Sequence, residues 1–172
     1  MKRKRLRWAR KYSLWTKKMW SRVWFLDEAN FETSATSKGG RVRRQKGVDN
    51  RYEERFTQPN YRKPEKVMML GGISGTGKCF HFFLQKGERM TSKTYTSILK
   101  EEVCDLKNFT VLQDNASIHT SRESIKFLKD ENITTVFLPP NSPDLNPIEN
   151  MFGLTKQLLQ SEDTRSVSNM KK

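Results

Sequence analysis

Three acidic side chains have the type and position needed for metal-dependent chemistry. Asp27 follows the apolar run RVWFL and Asp114 follows FTVLQ, so each is predicted at the end of a strand, while Glu149 opens a helix after Asn146 and Pro147. A carboxylate at the end of an apolar strand loses hydration unless it is paired, hydrogen-bonded or bound to a metal. Ligands of open α/β sheets gather beyond the carboxyl ends of strands, so the two Asp could share a divalent cation.

Each of these acids also has a purely structural interpretation. Asp114 fits a turn residue that precedes the next helix, and Glu149 fits a helix cap, because Glu three residues after Asn satisfies backbone amides. Asp144 and Glu28 lie close to the candidates and compete for the same roles. Taken position by position, the chemical and structural interpretations both remain open.

The segment GISGTGK, residues 72–78, fits the GxxxxGK core of a phosphate-binding P-loop. That site requires Ser or Thr next, as a Mg²⁺ ligand, and a helix whose first amides hold the phosphates. Here Cys79 follows, and CFHFFLQ has the aromatic composition of a strand. We therefore predict a glycine-rich hairpin turn, exclude an ATPase and expect no nucleotide cofactor.

The apolar pattern predicts a mixed α/β sheet that would position the acids. Helices are predicted over 91–105, over 120–131 and from Pro147 to about residue 160. Trp8, Tyr12, Trp15 and Met19 predict a further amphipathic helix within residues 2–20. A meander of three strands followed by alternating helices and strands is typical of an α/β sheet with helices on it. The predicted strands are 22–27, 67–74, 78–85, 109–114 and 133–138.

The positive charge of the chain lies in its first third. Its 172 residues, enough for one domain or a domain with a tail, carry a net charge of +14. Residues 1–66 hold 20 basic and 7 acidic side chains, and residues 67–172 hold 13 and 12. Such a block is typical of a nucleic-acid partner, the alternative being a solvated basic tail. Aromatic residues interleave the basic ones, as in surfaces that stack on bases: Trp8, Tyr12, Trp15 and Trp20.

Several classes of protein are excluded by composition. No run approaches the roughly 18 apolar residues that cross a bilayer, so we expect no membrane partner. The basic N-terminus has no apolar stretch behind it and is not a signal peptide. Cys79 and Cys104 form no CxxC pair, which excludes a disulfide framework and a zinc ribbon and fits a reducing compartment.

Longer motifs connect the three acids. LQDNASIHTS is followed by LPPNSPDLNPIENMFG, with 34 residues between Asp114 and Glu149. Together with WSRVWFLDEANFE and the glycine-bearing hairpin segment, these motifs resemble the catalytic domain of the Tc/mariner transposases, from about Arg10 to Leu159. QDN alone is a weak signal, but QDNxxxHT followed at this distance by SPDLNPIEN is specific.

The resemblance implies a ribonuclease-H-like fold and an acidic triad of Asp27, Asp114 and Glu149. The triad would bind two Mg²⁺ or Mn²⁺ ions, with Asp27 bridging them, and would cleave DNA strands and transfer them. Asn115 and His119 match DNxxxH and are expected to be supporting or structural residues. The resemblance also implies DNA as partner, a homodimer on DNA, and location in the nucleus. The basic loop 32–66 would lie against DNA or the partner subunit.

In the family, a helix-turn-helix region that reads transposon ends precedes the catalytic domain, whereas the resemblance here starts at about Arg10, so we expect no such base-specific reader in this chain. We therefore expect a truncated copy, with a basic segment 1–20, a catalytic domain 21–160 and a polar tail 161–172. A non-enzymatic DNA-binding or interaction protein derived from a transposase is the main alternative. A basic ribonuclease of the same fold fits the three acids, but the SPDLNPIEN loop argues against it.

Overall fold

The computed structural model describes residues 1–32, 65–102 and 109–159. Most of the predicted basic loop 32–66, the end of helix 91–105 and the tail 161–172 lie outside the described residues. None of the helices within the described ranges is long and apolar enough to cross a membrane. The helices are α1 (Lys2–Tyr12), α2 (Lys17–Trp20), α3 (Ser92–Glu102), α4 (Ser117–Thr120), α5 (Arg122–Asp130) and α6 (Pro147–Leu159). The strands are β1 (Val23–Glu32), β2 (Lys66–Ser74), β3 (Cys79–Phe83), β4 (Thr110–Gln113) and β5 (Thr134–Phe137), and a 3₁₀ turn covers Pro143–Leu145.

The five strands form one mixed sheet in the order β3-β2-β1-β4-β5. The first three strands are antiparallel neighbours in a meander. Strands β4 and β5 run parallel to β1, because the connections into them pass through helices on the sheet. The predicted mixed α/β sheet, with a meander followed by alternating helices and strands, is confirmed.

Strand β1 lies in the centre and supplies side chains to two apolar layers. Successive side chains of a strand point to opposite faces. Val23 and Phe25 therefore join one layer, which α6 completes with Phe152, whereas Trp24 and Leu26 join the opposite layer. The opposite layer is completed from α3 and α5 by Tyr95, Ile98, Leu99 and Leu128.

The GISGTGK segment forms the tip of the β2–β3 hairpin, as the sequence analysis predicts. The backbone N–H of Gly77 donates to the carbonyl of Ser74 over 3.0 Å, and Gly77 adopts a φ of +84° that favours glycine. Strand β3 follows directly, so no helix N-terminus stands behind this turn.

The predicted end of strand β1 is wrong. The predicted strand ended at Asp27, but β1 continues to Glu32, and Asp27 lies opposite Gly71 in the ladder with β2. The strand continues because it stays paired with β2 out to Glu32, and because Ala29 and Phe31 are buried while Asn30 and Glu32 face solvent. Pairing with β4 nevertheless stops at Phe25, so Asp27 still lies beyond the end of the parallel ladder.

The predicted N-terminal helix is interrupted after Tyr12, and a second helix starts at Lys17 with Thr16 as its cap. Met19, predicted on the apolar face, is 44% exposed. The turn instead folds Trp15 and Trp20 back onto Tyr12, with ring centroids 4.9 Å apart for Tyr12–Trp15 and 5.0 Å for Trp15–Trp20. These aromatic rings pack on the core, so the expectation of an open base-stacking surface is wrong.

A matched pair of glycine substitutions tests this packing. A Cβ at Gly72 would overlap the ring of Phe80 and lie 2.7 Å from Leu26 Cδ2, whereas a Cβ at Gly153 meets nothing within 4 Å. We expect Gly72→Ala to lower the free energy of unfolding by about 1–3 kcal/mol, through overpacking. Gly153→Ala should raise it by about 0.5–1 kcal/mol, through helix propensity. Urea unfolding measures both, and an unchanged stability of Gly72→Ala would contradict the packing at the β2–β3 contact.

Candidate active site

Asp27 is a half-buried carboxylate held by two hydrogen bonds. Its Oδ1 accepts from the backbone N–H of Glu28 over 2.9 Å, and its Oδ2 accepts from the Asn146 side-chain amide over 3.1 Å. Burial raises the pKa of Asp27 to about 6; the Glu28 N–H opposes this shift, and the charges of Glu28, Glu149 and Asp114 add to it. The three predicted acids are therefore near enough to interact electrostatically.

Asp114 directly follows strand β4 and makes the turn contact of its structural interpretation. Its Oδ1 accepts from the backbone N–H of Ala116 over 2.8 Å, which is the turn contact of the structural interpretation. The same oxygen lies 2.8 Å from Nδ1 of His119. The Asp114 side chain is 50% exposed, so the turn contact leaves it accessible from the cleft.

Glu149 lies in the first turn of α6, but the predicted capping role is wrong. The backbone N–H of Asn146, which a capping Glu would bind, donates to the carbonyl of Pro143 over 2.9 Å. The Asn146 side chain does not cap the helix either, because it reaches β1 and donates to Leu26 O and to Asp27. Within the described part of the chain, the exposed Glu149 carboxylate has no hydrogen bond or ion pair.

The three acids line one cleft of about 370 Å³. One wall is the segment after β4, and the other is the proline-rich loop after β5. The loop is tied to β4 by Asn115, whose side-chain amide donates to Leu138 O over 2.6 Å. The structure thus brings together three acids that the sequence predicted separately: Asp27 within β1, Asp114 after β4 and Glu149 in the first turn of α6. The remaining lining residues are Asn115, Ala116, Leu138, Pro139, Pro140, Asn141, Ser142 and Pro143.

The two competing acids lie outside this cleft. Asp144 is paired with Arg5 of α1 through two parallel contacts of 2.8 and 2.6 Å, and this pairing lowers the pKa of Asp144. Glu28 follows Asp27 in the strand and therefore points to the opposite face, where its Oε1 lies 3.0 Å from Nε2 of His119. Both contacts are long-range, which explains why sequence spacing alone did not separate these acids from the candidates.

His119 is a buried imidazole between two carboxylates. Burial lowers its pKa, but the hydrogen bonds and charges of Glu28 and Asp114 outweigh burial and raise it overall. Its side chain is 1% exposed, and helix α4 carries it. The helix predicted over 120–131 corresponds to α5, and the short helix α4 that precedes it was not predicted. Ser121 caps α5 by accepting from the Ser124 N–H over 3.1 Å.

The chemistry of the donor set fits a hard divalent cation. Asp114 has one carboxylate oxygen that no described hydrogen bond occupies, and Glu149 has two. Mg²⁺ and Mn²⁺ favour carboxylate oxygens, and a cation would relieve the repulsion that acts on Asp27. As they stand, the described residues contain no group of three His, Cys, Asp or Glu side chains close enough to hold a metal ion.

Comparison with known proteins places these features in a family. The family model described as DDE superfamily endonuclease matches residues 22–171. The transposase of the transposable element Tc3 of Caenorhabditis elegans is 31% identical over 151 residues, which are 84% of this chain and 44% of that transposase. The Tcb2 transposase of Caenorhabditis briggsae is 27% identical over 86% of this chain and 55% of its own. The chain therefore spans about half the length of the curated relatives it matches.

Solved structures confirm the predicted ribonuclease-H-like fold. The Mos1 strand transfer complex matches 99% of this chain and 51% of its own, with a TM-score of 0.75 and 21% identity. The Mos1 transposase catalytic domain with Raltegravir and Mg matches 99% of this chain and 76% of its own, with a TM-score of 0.69 and 18% identity. At these identities, the likeness concerns the fold alone.

The raised pKa of Asp27 predicts a pH-dependent cost to stability. Because the folded-state pKa of about 6 exceeds the ordinary 3.8, the stabilising contribution is complete below about pH 4 and is lost as pH rises through about 6. Without divalent metal, Asp27→Asn should gain about 1–2 kcal/mol of unfolding free energy over wild type between pH 4 and pH 7.5. This free energy is smaller than the whole pKa shift would give, because solvent screens the partly exposed Asp27 carboxylate.

Urea unfolding of both proteins at the two pH values measures this difference. Asp144→Asn is the control, and its difference from wild type should change in the opposite direction because Arg5 lowers the pKa of Asp144. Parallel pH profiles of wild type and Asp27→Asn would show that burial and the neighbouring charges do not raise the pKa of Asp27.

Proposed function

Because this chain belongs to the DDE superfamily endonucleases, we propose that it is the catalytic domain of a Tc/mariner-type transposase. Its activity would be metal-dependent cleavage of DNA strands and their transfer to a target. The observation that carries the proposal is that Asp27, Asp114 and Glu149, from three separate segments, line one cleft. The alternative of a protein that only binds DNA gives no role to the Glu149 carboxylate, which has no hydrogen bond or ion pair among the described residues.

In the proposed site, Asp27, Asp114 and Glu149 would hold two Mg²⁺ or Mn²⁺ ions. Bound cations supply positive charge that stabilises the attacking and leaving oxygens of a phosphodiester. Asp27 is fixed by the Glu28 N–H and the Asn146 amide, so its carboxylate keeps one orientation. Glu149 enters from α6, whose fixed place on β1 sets its distance from the other two acids. Solved structures of the Mos1 catalytic domain with Mg and with Mn support the choice of cation.

The proposed partner is DNA, and helix α1 would contact part of the DNA phosphate backbone. The first 26 residues contain no acidic side chain, and Lys and Arg residues cover the exposed surface of α1. Arg5 pairs with Asp144, and Trp8 Nε1 donates to Phe137 O over 3.0 Å, so α1 lies against the loop that borders the cleft. The Mos1 complex with the left transposon end supports a DNA partner. A homodimer on DNA and location in the nucleus belong to the same proposal.

Residues 1–20 are accordingly proposed as the basic, DNA-facing part of the unit, and residues 21–160 as the part that holds the acids. Tyr12 is buried in the same apolar layer as Phe25 and Phe152. Removing residues 1–20 would therefore expose the core, and the DNA-binding role of the segment is better tested by changing its surface charges.

Glu149→Gln tests the assignment of the third acid. Because Glu149 has no described partner, the variant should keep the wild-type melting temperature. Nicking of supercoiled DNA with Mn²⁺ should nevertheless fall on the order of a thousandfold, since a neutral amide does not balance the charge of a cation.

Asp144→Asn is the matched control, since it lies five positions away in the sequence and outside the cleft. It should retain most of the nicking activity. Loss of cleavage in Asp144→Asn together with retention in Glu149→Gln would show that the third acid is Asp144.

Replacing surface charges on α1 tests the DNA interface. Arg3, Arg7 and Arg10 are exposed, and changing all three to Gln should weaken DNA binding. The slope of log affinity against log salt should become shallower by up to about 3, because each phosphate contact releases close to one counterion.

A matched triple substitution on α5 serves as control. Arg122, Lys126 and Lys129 are equally exposed, but α5 packs on the opposite face of the sheet. Their replacement by Gln should leave most of the slope in place. Equal effects of the two triple variants, measured by fluorescence anisotropy, would contradict a specific role for α1.

A further inference from the structure

The backbone ladder between β1 and β4 ends before it reaches the acids. The last paired residues are Phe25 and Leu112, whereas Asp27 lies two residues further along β1 and Asp114 two residues further along β4. Beyond Phe25 and Leu112, the described residues of the two strands form no further ladder pairs. Something other than the sheet must therefore fix the separation of the first two acids.

A side-chain bridge spans this gap. Nδ1 of His119 lies 2.8 Å from Asp114 Oδ1, and its Nε2 lies 3.0 Å from Glu28 Oε1. Each ring nitrogen therefore lies within hydrogen-bond distance of a carboxylate oxygen. Glu28 is the residue next to Asp27, so the bridge joins the strand of the first acid to the second acid itself.

The imidazole is held firmly in its bridging position. It is 1% exposed, and the ring of Tyr95 packs against it with centroids 4.7 Å apart. The hydroxyl of Tyr95 donates to Gln113, the residue that precedes Asp114. Helix α4, which carries His119, is tied to α5 because Ser124 Oγ donates to Ile118 O over 2.6 Å.

We propose that Glu28 and His119 are positioning residues that fix Asp114 relative to Asp27 and present one oxygen of Asp114 to a cation. Oδ1 of Asp114 contacts both His119 and the Ala116 N–H, whereas Oδ2 has no hydrogen bond among the described residues. Outer partners of this kind orient ligands and tune their basicity. The inference rests on the proposed function, because it assigns these residues to the same metal site.

Direct Mn²⁺ binding to the full chain tests this role without relying on activity. Glu28→Gln keeps the volume of the side chain and an acceptor oxygen but removes the charge. His119→Asn shortens the side chain so that it no longer reaches both carboxylates. We expect Mn²⁺ affinity, measured by calorimetry, to fall about tenfold in Glu28→Gln and further in His119→Asn. Melting temperatures in EDTA should fall by only a few degrees.

Glu32→Gln is the matched control on the same face of the same strand. Glu32 is in an exposed ion pair with Lys66 at 2.7 Å, far along β1 from the bridge, and its replacement should leave Mn²⁺ affinity unchanged. Wild-type affinity in both Glu28→Gln and His119→Asn would overturn the positioning role while leaving the proposed function intact. Failure of both variants to fold would also overturn it, by showing that the bridge serves stability. A wild-type chain that binds no Mn²⁺ would instead contradict the proposed function.

Discussion

The structure depends on how it accommodates several carboxylates close together, just beyond the end of the β1–β4 ladder of an apolar sheet. Burial and mutual repulsion raise the pKa of Asp27, so the charged form of the cluster is costly without compensation. The surrounding residues provide separate hydrogen-bond or ion-pair partners for the individual acids. Asp27 receives a backbone N–H and the Asn146 amide, Asp114 receives the Ala116 N–H and His119, and Asp144 receives Arg5. Within the described residues, Glu149 alone of the three cleft acids receives no such partner.

The same constraint connects the N-terminal segment to the site. Arg5 both neutralises Asp144 and joins α1 to the loop that borders the cleft, and Trp8 adds a second link through Phe137 O. The aromatic residues of this segment therefore serve to anchor it, while its exposed Lys and Arg side chains remain turned outward. One short amphipathic region thus supplies core packing on one side and positive charge on the other, close to the acids.

Sequence patterns predicted the strands and the helices of the sheet because alternating and helical periodicities are local. They also placed Asp27, Asp114 and Glu149 as candidates, and the structure brings these residues into one cleft. The sequence could not predict the contacts between side chains that are far apart in the chain. The pairing of Glu28 with His119 spans 91 positions, that of Arg5 with Asp144 spans 139, and that of Asn146 with Asp27 spans 119. Asn146 looked like a helix cap for this reason, since nothing local indicates that its side chain reaches β1. The continuation of β1 past Asp27 was missed similarly, because its support comes from pairing with β2.

In the proposed function, Asp27, Asp114 and Glu149 together bind divalent cations. The melting temperature of the full chain during a Mn²⁺ titration tests this site, because a ligand that binds only the folded state raises it. Wild type should show a saturable rise, and each of Asp27→Asn, Asp114→Asn and Glu149→Gln should lose most of that rise. A full rise in Asp114→Asn would place the cation site elsewhere and show that these three acids do not form it.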